Sequence, residues 1–155
     1  MAISMSIDVT QVDTVPTATL GQYFVDQVGT TWRYVKGGGT VAQYEYVFIT
    51  SDGAFTATSL TTTNVAAAKT ALVGCVQQSA GLTSSTYGWV VVKGPHTGKY
   101  AASYVANSKA YVTAVAGVVD DAATTLIAGL TGLVTNTSAA SIAAYAYIEM
   151  HANGQ

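Results

Sequence analysis

A catalytic or metal-binding protein must gather acids, bases or nucleophiles, so the first residues to weigh are the two histidines, His96 and His151, and the single cysteine, Cys75. Together they could supply three zinc ligands, but at spacings that match no closed structural site. Cys75 sits in Leu72-Val73-Gly74-Cys75-Val76, the setting of a small buried hydrophobe. A redox role would need a second thiol or an activating cation, and one cysteine permits no internal disulfide. His96 lies in Lys93-Gly94-Pro95-His96-Thr97-Gly98-Lys99, which reads as a turn between strands and makes it a solvated loop histidine. The same stretch fails as a phosphate loop, because Tyr100 stands where Ser or Thr is required and Lys93 where the first glycine belongs. Gly37-Gly38-Gly39 lacks the spacing and the following helix of a dinucleotide site and reads as a turn. Asp120-Asp121 could offer two carboxylates to calcium, yet nothing beside them completes the ligand set, and a solvated turn is expected. Asn136-Thr137-Ser138 fits the glycosylation triplet, which has meaning only on a secretory route. The expectation is a protein that is not an enzyme and uses no metal and no cofactor.

The elements that would position any site are strands. Ile3, Met5, Ile7 and Val9 alternate with Ser4, Ser6, Asp8 and Thr10, the period of a strand with one covered face. Residues 1–19 thus read as an extended N-terminal arm, and 20–155 as a single β-rich domain. Gln22–Val25 and Thr31–Lys36 form a hairpin about Gly29. Val41–Thr50 places Tyr44, Tyr46 and Phe48 on one face and Gln43, Glu45, Val47 and Ile49 on the other. Ser51-Asp52-Gly53 turns it into a strand from Ala54 through Leu60. A short helix is expected near 65–72, with Asn64 as its cap. Gly88–Lys93 is apolar on both sides, as a central strand covered on each face should be. Further segments follow at Lys99–Ala106, Lys109–Val115, Leu126–Val134 and Ala143–Met150. Roughly ten short strands at regular spacing predict an all-β fold, a single antiparallel sandwich or barrel.

Size and charge narrow the function. A chain of 155 residues forms one ordinary domain. Only six Lys and Arg and eight Asp and Glu are present, 9% of the chain, where an ordinary domain has roughly 25%. The polar surface must therefore be uncharged Thr, Ser, Asn and Gln, suited to faces buried against other subunits. A net charge of -2 with no basic cluster argues against nucleic acid. No segment approaches the roughly 18 apolar residues of a membrane span. Met1 to Asp8 lacks the basic start and apolar run of a secretory signal, so the chain is expected to be made in the cytoplasm.

Aromatic residues are spread over most strands, including Trp32, Tyr34, Tyr44, Tyr46, Tyr145 and Tyr147. Tyr and Trp suit subunit interfaces, since their rings add apolar area while the polar tip stays at the boundary. They suit a core equally well. A sugar-binding platform is a third reading, but no acids or amides cluster beside them in sequence. The residues expected to make protein contacts are Ile3, Met5, Ile7 and Val9 of the arm, with Trp32, Tyr34, Tyr44 and Tyr46.

Three stretches carry a resemblance: Leu20-Gly21-Gln22 through Trp32-Arg33-Tyr34-Val35-Lys36-Gly37-Gly38-Gly39-Thr40, then Tyr87-Gly88-Trp89-Val90-Val91-Val92-Lys93-Gly94, and Ala114-Val115-Ala116-Gly117-Val118-Val119-Asp120-Asp121-Ala122. Together they resemble small head proteins of tailed bacteriophages, of the capsid-decoration kind. The resemblance implies a structural virion protein made in the host cytoplasm. It would bind the capsid exterior and clamp the major capsid protein, and itself as a homotrimer or dimer. A tail, baseplate or receptor-binding lectin-like domain of the same particle is the alternative. The arm suggests a mechanism, the addition of a strand to an exposed sheet edge. On that view the domain stays folded when residues 1–12 are removed.

Overall fold

The computed structural model describes residues 7–68 and 71–152. Within them the chain is all-β, eleven strands and one short helix, joined in a single hydrogen-bonded sheet. β1 (Val12–Asp13) is brief. β2 (Tyr23–Val25) and β3 (Thr31–Gly37) form the expected hairpin, with Gly29 at φ +84°. β4 (Tyr46–Ile49) and β5 (Thr56–Ser59) pair across Ser51-Asp52-Gly53. There the Asp52 carboxylate accepts from the Thr50 hydroxyl at 2.8 Å and the Ala54 amide at 3.0 Å.

The helix α1 spans Thr62–Ala66, earlier than 65–72. Thr61, not Asn64, is its cap, and Asn64 returns the bond to the Thr61 amide at 2.9 Å. Leu72 belongs to β6 (Ala71–Val76), whose ladder with β4 overrides local helix propensity.

β7 (Tyr87–Tyr100) organises the molecule. It does not stop at Gly94-Pro95. Its first half pairs with β3 and β6; from Gly94 onward it pairs with β11 (Ala140–Ala152). Gly94, at φ +99°, is the bend where the partners change, and its missing side chain admits the Thr30 backbone. Pro95 follows the last β3 pair, Thr31 with Lys93, so its lack of an N–H costs that ladder nothing.

Two closed rings share this strand. Pairings β7–β3, β3–β5, β5–β4, β4–β6 and β6–β7 close the first. The second runs from β7 through β11, β10 (Thr125–Gly132), β8 (Lys109–Val112) and β9 (Val119–Asp120) back to β7. The pairings are antiparallel apart from the two short contacts β3–β5 and β7–β9. Each ring has its own core. Val35, Val47, Ile49, Val76, Val90 and Val92 fill the first, and Tyr100, Val112, Ile127, Leu130, Ala144 and Met150 belong to the second. β4 and β6 lie between them: Val47 and Ile49 face one core while Tyr46 and Phe48 face the other. That explains why β6 is buried at every position, on both faces of its pleat. A third cluster, Trp32, Tyr34, Trp89 and Val91, lies on the opposite face of β3 and β7 from the first core.

Candidate binding surfaces

The chemistry-bearing side chains of the middle of the chain are turned inward. His96 sits within β7, not on a solvated turn. Its Nδ1 lies 3.0 Å from the Gly94 carbonyl oxygen and its Nε2 3.1 Å from the Tyr46 hydroxyl. A carbonyl only accepts, so in the neutral ring Nδ1 carries the proton and Nε2 is the acceptor facing the Tyr46 hydroxyl, whose single proton is shared between Nε2 and the Tyr100 oxygen. The Tyr46 oxygen is also 3.2 Å from that of Tyr100, and the Tyr100 ring meets Tyr104 edge-on at 4.4 Å. Burial lowers the His96 pKa to about 4, while the Gly94 hydrogen bond opposes the shift. Burial likewise raises the Tyr46 and Tyr100 hydroxyls. Cys75 is fully buried, its Sγ 3.3 Å from the Thr97 carbonyl oxygen, and desolvation raises its thiol far above the usual range. A thiol held protonated is a poor nucleophile.

The N-terminal residues expected to reach outward fasten onto the chain itself. Ile3 and Met5 lie outside the described residues. Ile7 and Val9 are half-buried and pack, with Ala18 and Leu20, on the cluster of Trp32, Tyr34, Trp89 and Val91. The Gln78 amide donates to the Val9 carbonyl oxygen at 2.8 Å and to that of Trp89, while Val12 pairs with Gly88. Asp13 Oδ2 accepts from Tyr34 Oη at 2.7 Å and Thr17 Oγ1 at 2.6 Å. Residues 7–20 are thus a strap that covers an aromatic sheet face. Between strap and sheet lies a cavity of about 340 Å³, bordered by Asp8, Gln11, Asp13, Thr17, Gln22 and Trp89 among others.

Of the aromatic contact candidates, Trp32, Tyr34 and Tyr46 are buried in the chain's own interior. Period-two spacing places a ring on a sheet face; it does not say what covers that face. Tyr44 lies outside β4 at φ +67°, half-buried, with its amide donating to Val76 at 2.7 Å and its carbonyl accepting from Lys99 at 2.8 Å.

The accessible aromatic surface is elsewhere, on β11. Ala144, Ala146, Met150 and Ala152 point into the second core, so Tyr145, Tyr147, Glu149 and His151 share the outer face. Tyr147 is 61% exposed and its ring lies 4.8 Å from that of Tyr145. Ile148, displaced against Gly129 at an irregularity of β10, is also exposed, and Leu126 borders the same groove as Tyr147. At the far end of the row, Tyr23 Oη donates to Glu149 Oε1 at 2.7 Å. Burial, reinforced by Glu149, pushes the Tyr23 hydroxyl up to about 12. The alternation Ala144-Tyr145-Ala146-Tyr147 was visible in the sequence, but ordinary hydrophobic patterning would turn the tyrosines inward.

Comparisons of the chain with protein-family models, with curated proteins and with solved structures return no match.

Proposed function

We propose that this chain is a non-catalytic structural protein of a tailed-bacteriophage particle that binds the capsid exterior and stabilises contacts between major capsid subunits. The observation that carries this reading is the irregular stretch where β11 meets β10: Leu126, Tyr147 and Ile148 are solvent-exposed there, and Leu126 and Tyr147 line one groove. Exposed apolar patches edged by polar groups are what subunit contacts bury. The weakly charged exterior fits the same use. His96 and Cys75 serve the interior rather than a reaction, one held neutral and one held as a thiol. A protein that binds only the assembled shell stabilises that shell by mass action.

A second reading, a receptor-binding lectin-like domain of the same particle, is favoured by the cavity beneath the strap. There the fold brings Asp8, Asp13, Gln11 and Gln22 together beside Trp89, the acids and amides next to an aromatic ring that the linear sequence lacks. Imaging of intact particles with quantitative gel densitometry separates the two. Hundreds of copies over the head lattice support decoration. A few copies at the tail overturn it in favour of adhesion.

A further inference from the structure

Arg33 is the only arginine in the chain. Its guanidinium carbon lies 4.1 Å from the Tyr23 ring centroid and 5.0 Å from that of Phe55, which fixes the plane of the group. The side chain is 14% exposed, yet among the described residues no acceptor lies within hydrogen-bonding distance of it. Nε is buried without a partner, and the paired carboxylate oxygen, Glu149 Oε1, stays 3.8 Å from Nη1. That oxygen is already engaged by the Tyr23 hydroxyl. His151, from the same row of β11, buries its Nδ1 without a partner as well. Both residues border one cavity of about 240 Å³, completed by Tyr23, Ser51, Leu72 and Glu149.

A guanidinium in a fixed plane, largely buried, with its Nε shut away from any acceptor and only a long ion pair to Glu149, has an incomplete hydrogen-bond set. Its N–H fork matches the two oxygens of a carboxylate, and aromatic stacking supplies the pre-organisation such a contact needs. We propose that this cavity binds a carboxylate, an acidic side chain or chain end of another molecule, with Arg33 as the two-pronged donor and His151 as a further donor. Glu149 works against any anion here, so a monoanionic carboxylate is favoured over a phosphate, which brings more negative charge to the same neighbour. The inference stands independently of the capsid reading.

The test is an NMR titration of the ¹⁵N-labelled full chain at constant ionic strength, with sodium acetate as probe and acetamide and inorganic phosphate as controls. Acetate is expected to shift the Arg33 side-chain and His151 signals saturably. Arg33→Lys should weaken that binding at least tenfold, because a point ammonium cannot grip both oxygens, and Glu149→Gln should strengthen it severalfold by removing the competing charge. Glu149→Gln keeps the arginine and decides the matter should Arg33→Lys fail to fold. A linear, unsaturable response would overturn the proposal. So would equal or better binding of acetamide or phosphate, indifference to Arg33→Lys, or weakening by Glu149→Gln.

Discussion

The Tyr46 hydroxyl sits between His96 Nε2 and Tyr100 Oη, at 3.1 Å and 3.2 Å, and Tyr46 itself is fully buried. Removing it strands two polar groups where water does not readily replace it. Tyr46→Phe should therefore cost about 1–3 kcal/mol of unfolding free energy by urea titration, although it deletes a single atom. His96 adds a pH dependence whose sign is fixed by its lowered folded pKa. Between about 4 and the ordinary 6.5 the unfolded chain binds the proton more readily than the folded one, so stability is lost as pH falls through that window and is fully present above it. The shift corresponds to at most about 3 kcal/mol, less to the extent that the edge of the ring is wetted. His96→Gln should flatten the difference between stabilities measured at pH 7 and pH 4.5, with the carboxylates as a common background. An unchanged pH slope would remove His96 as its source. None of this is legible locally, because Gly94-Pro95 beside the histidine is a turn signal. The strand continues because β11 arrives to pair with it from the end of the chain.

At the scale of elements, the strap is the feature that most changes the expected mechanism. The alternation of Ile7 and Val9 correctly marks a covered face, but the cover is the Trp32, Tyr34, Trp89 and Val91 cluster of the same chain. Removing residues 1–12 would take away Ile7, Val9 and Val12, three partly buried apolar side chains worth roughly 1 kcal/mol each at half burial. It would also leave the Gln78 amide without Val9. We expect that deletion to lower unfolding free energy by about 3 kcal/mol or more and to red-shift tryptophan emission as Trp89 is uncovered. Gly37 supplies a second test at this scale. A Cβ there would run into the carbonyl oxygen of Thr83, which belongs to the backbone and cannot rotate away. Gly37→Ala should thus displace the loop before β7 and destabilise the first ring, visible as a lower urea midpoint. Elements whose residues settle their own fate were legible: the β2–β3 hairpin, the Asp52 turn and the two-faced apolar run at Gly88–Lys93. Those decided by distant partners were not, and α1 ended early because β6 is claimed by β4 and β11.

For the whole molecule, two rings that share β7 leave the outer face of β11 as a platform supported from beneath by small side chains. Ala144 and Ala146 sit under it, and the second core takes its bulk from Tyr100 and Tyr104 together with Met150 of β11. Tyr145 and Tyr147 can therefore be presented outward without leaving a void inward. On this strand the residues that hold the rings together point in, and Tyr145 and Tyr147 point out. Surface substitutions away from the packed interior are usually within about 0.5 kcal/mol of neutral. The double change Tyr147→Asp with Ile148→Asp should alter the urea midpoint little. If this face meets the capsid, the same change should lower occupancy on particles at least tenfold, because it places charge in a contact that must be dry. Occupancy measured by densitometry after mixing the variant with stripped heads gives the answer. Full occupancy by a folded double variant would remove β11 as the attachment face and leave the strap cavity as the surface to test next.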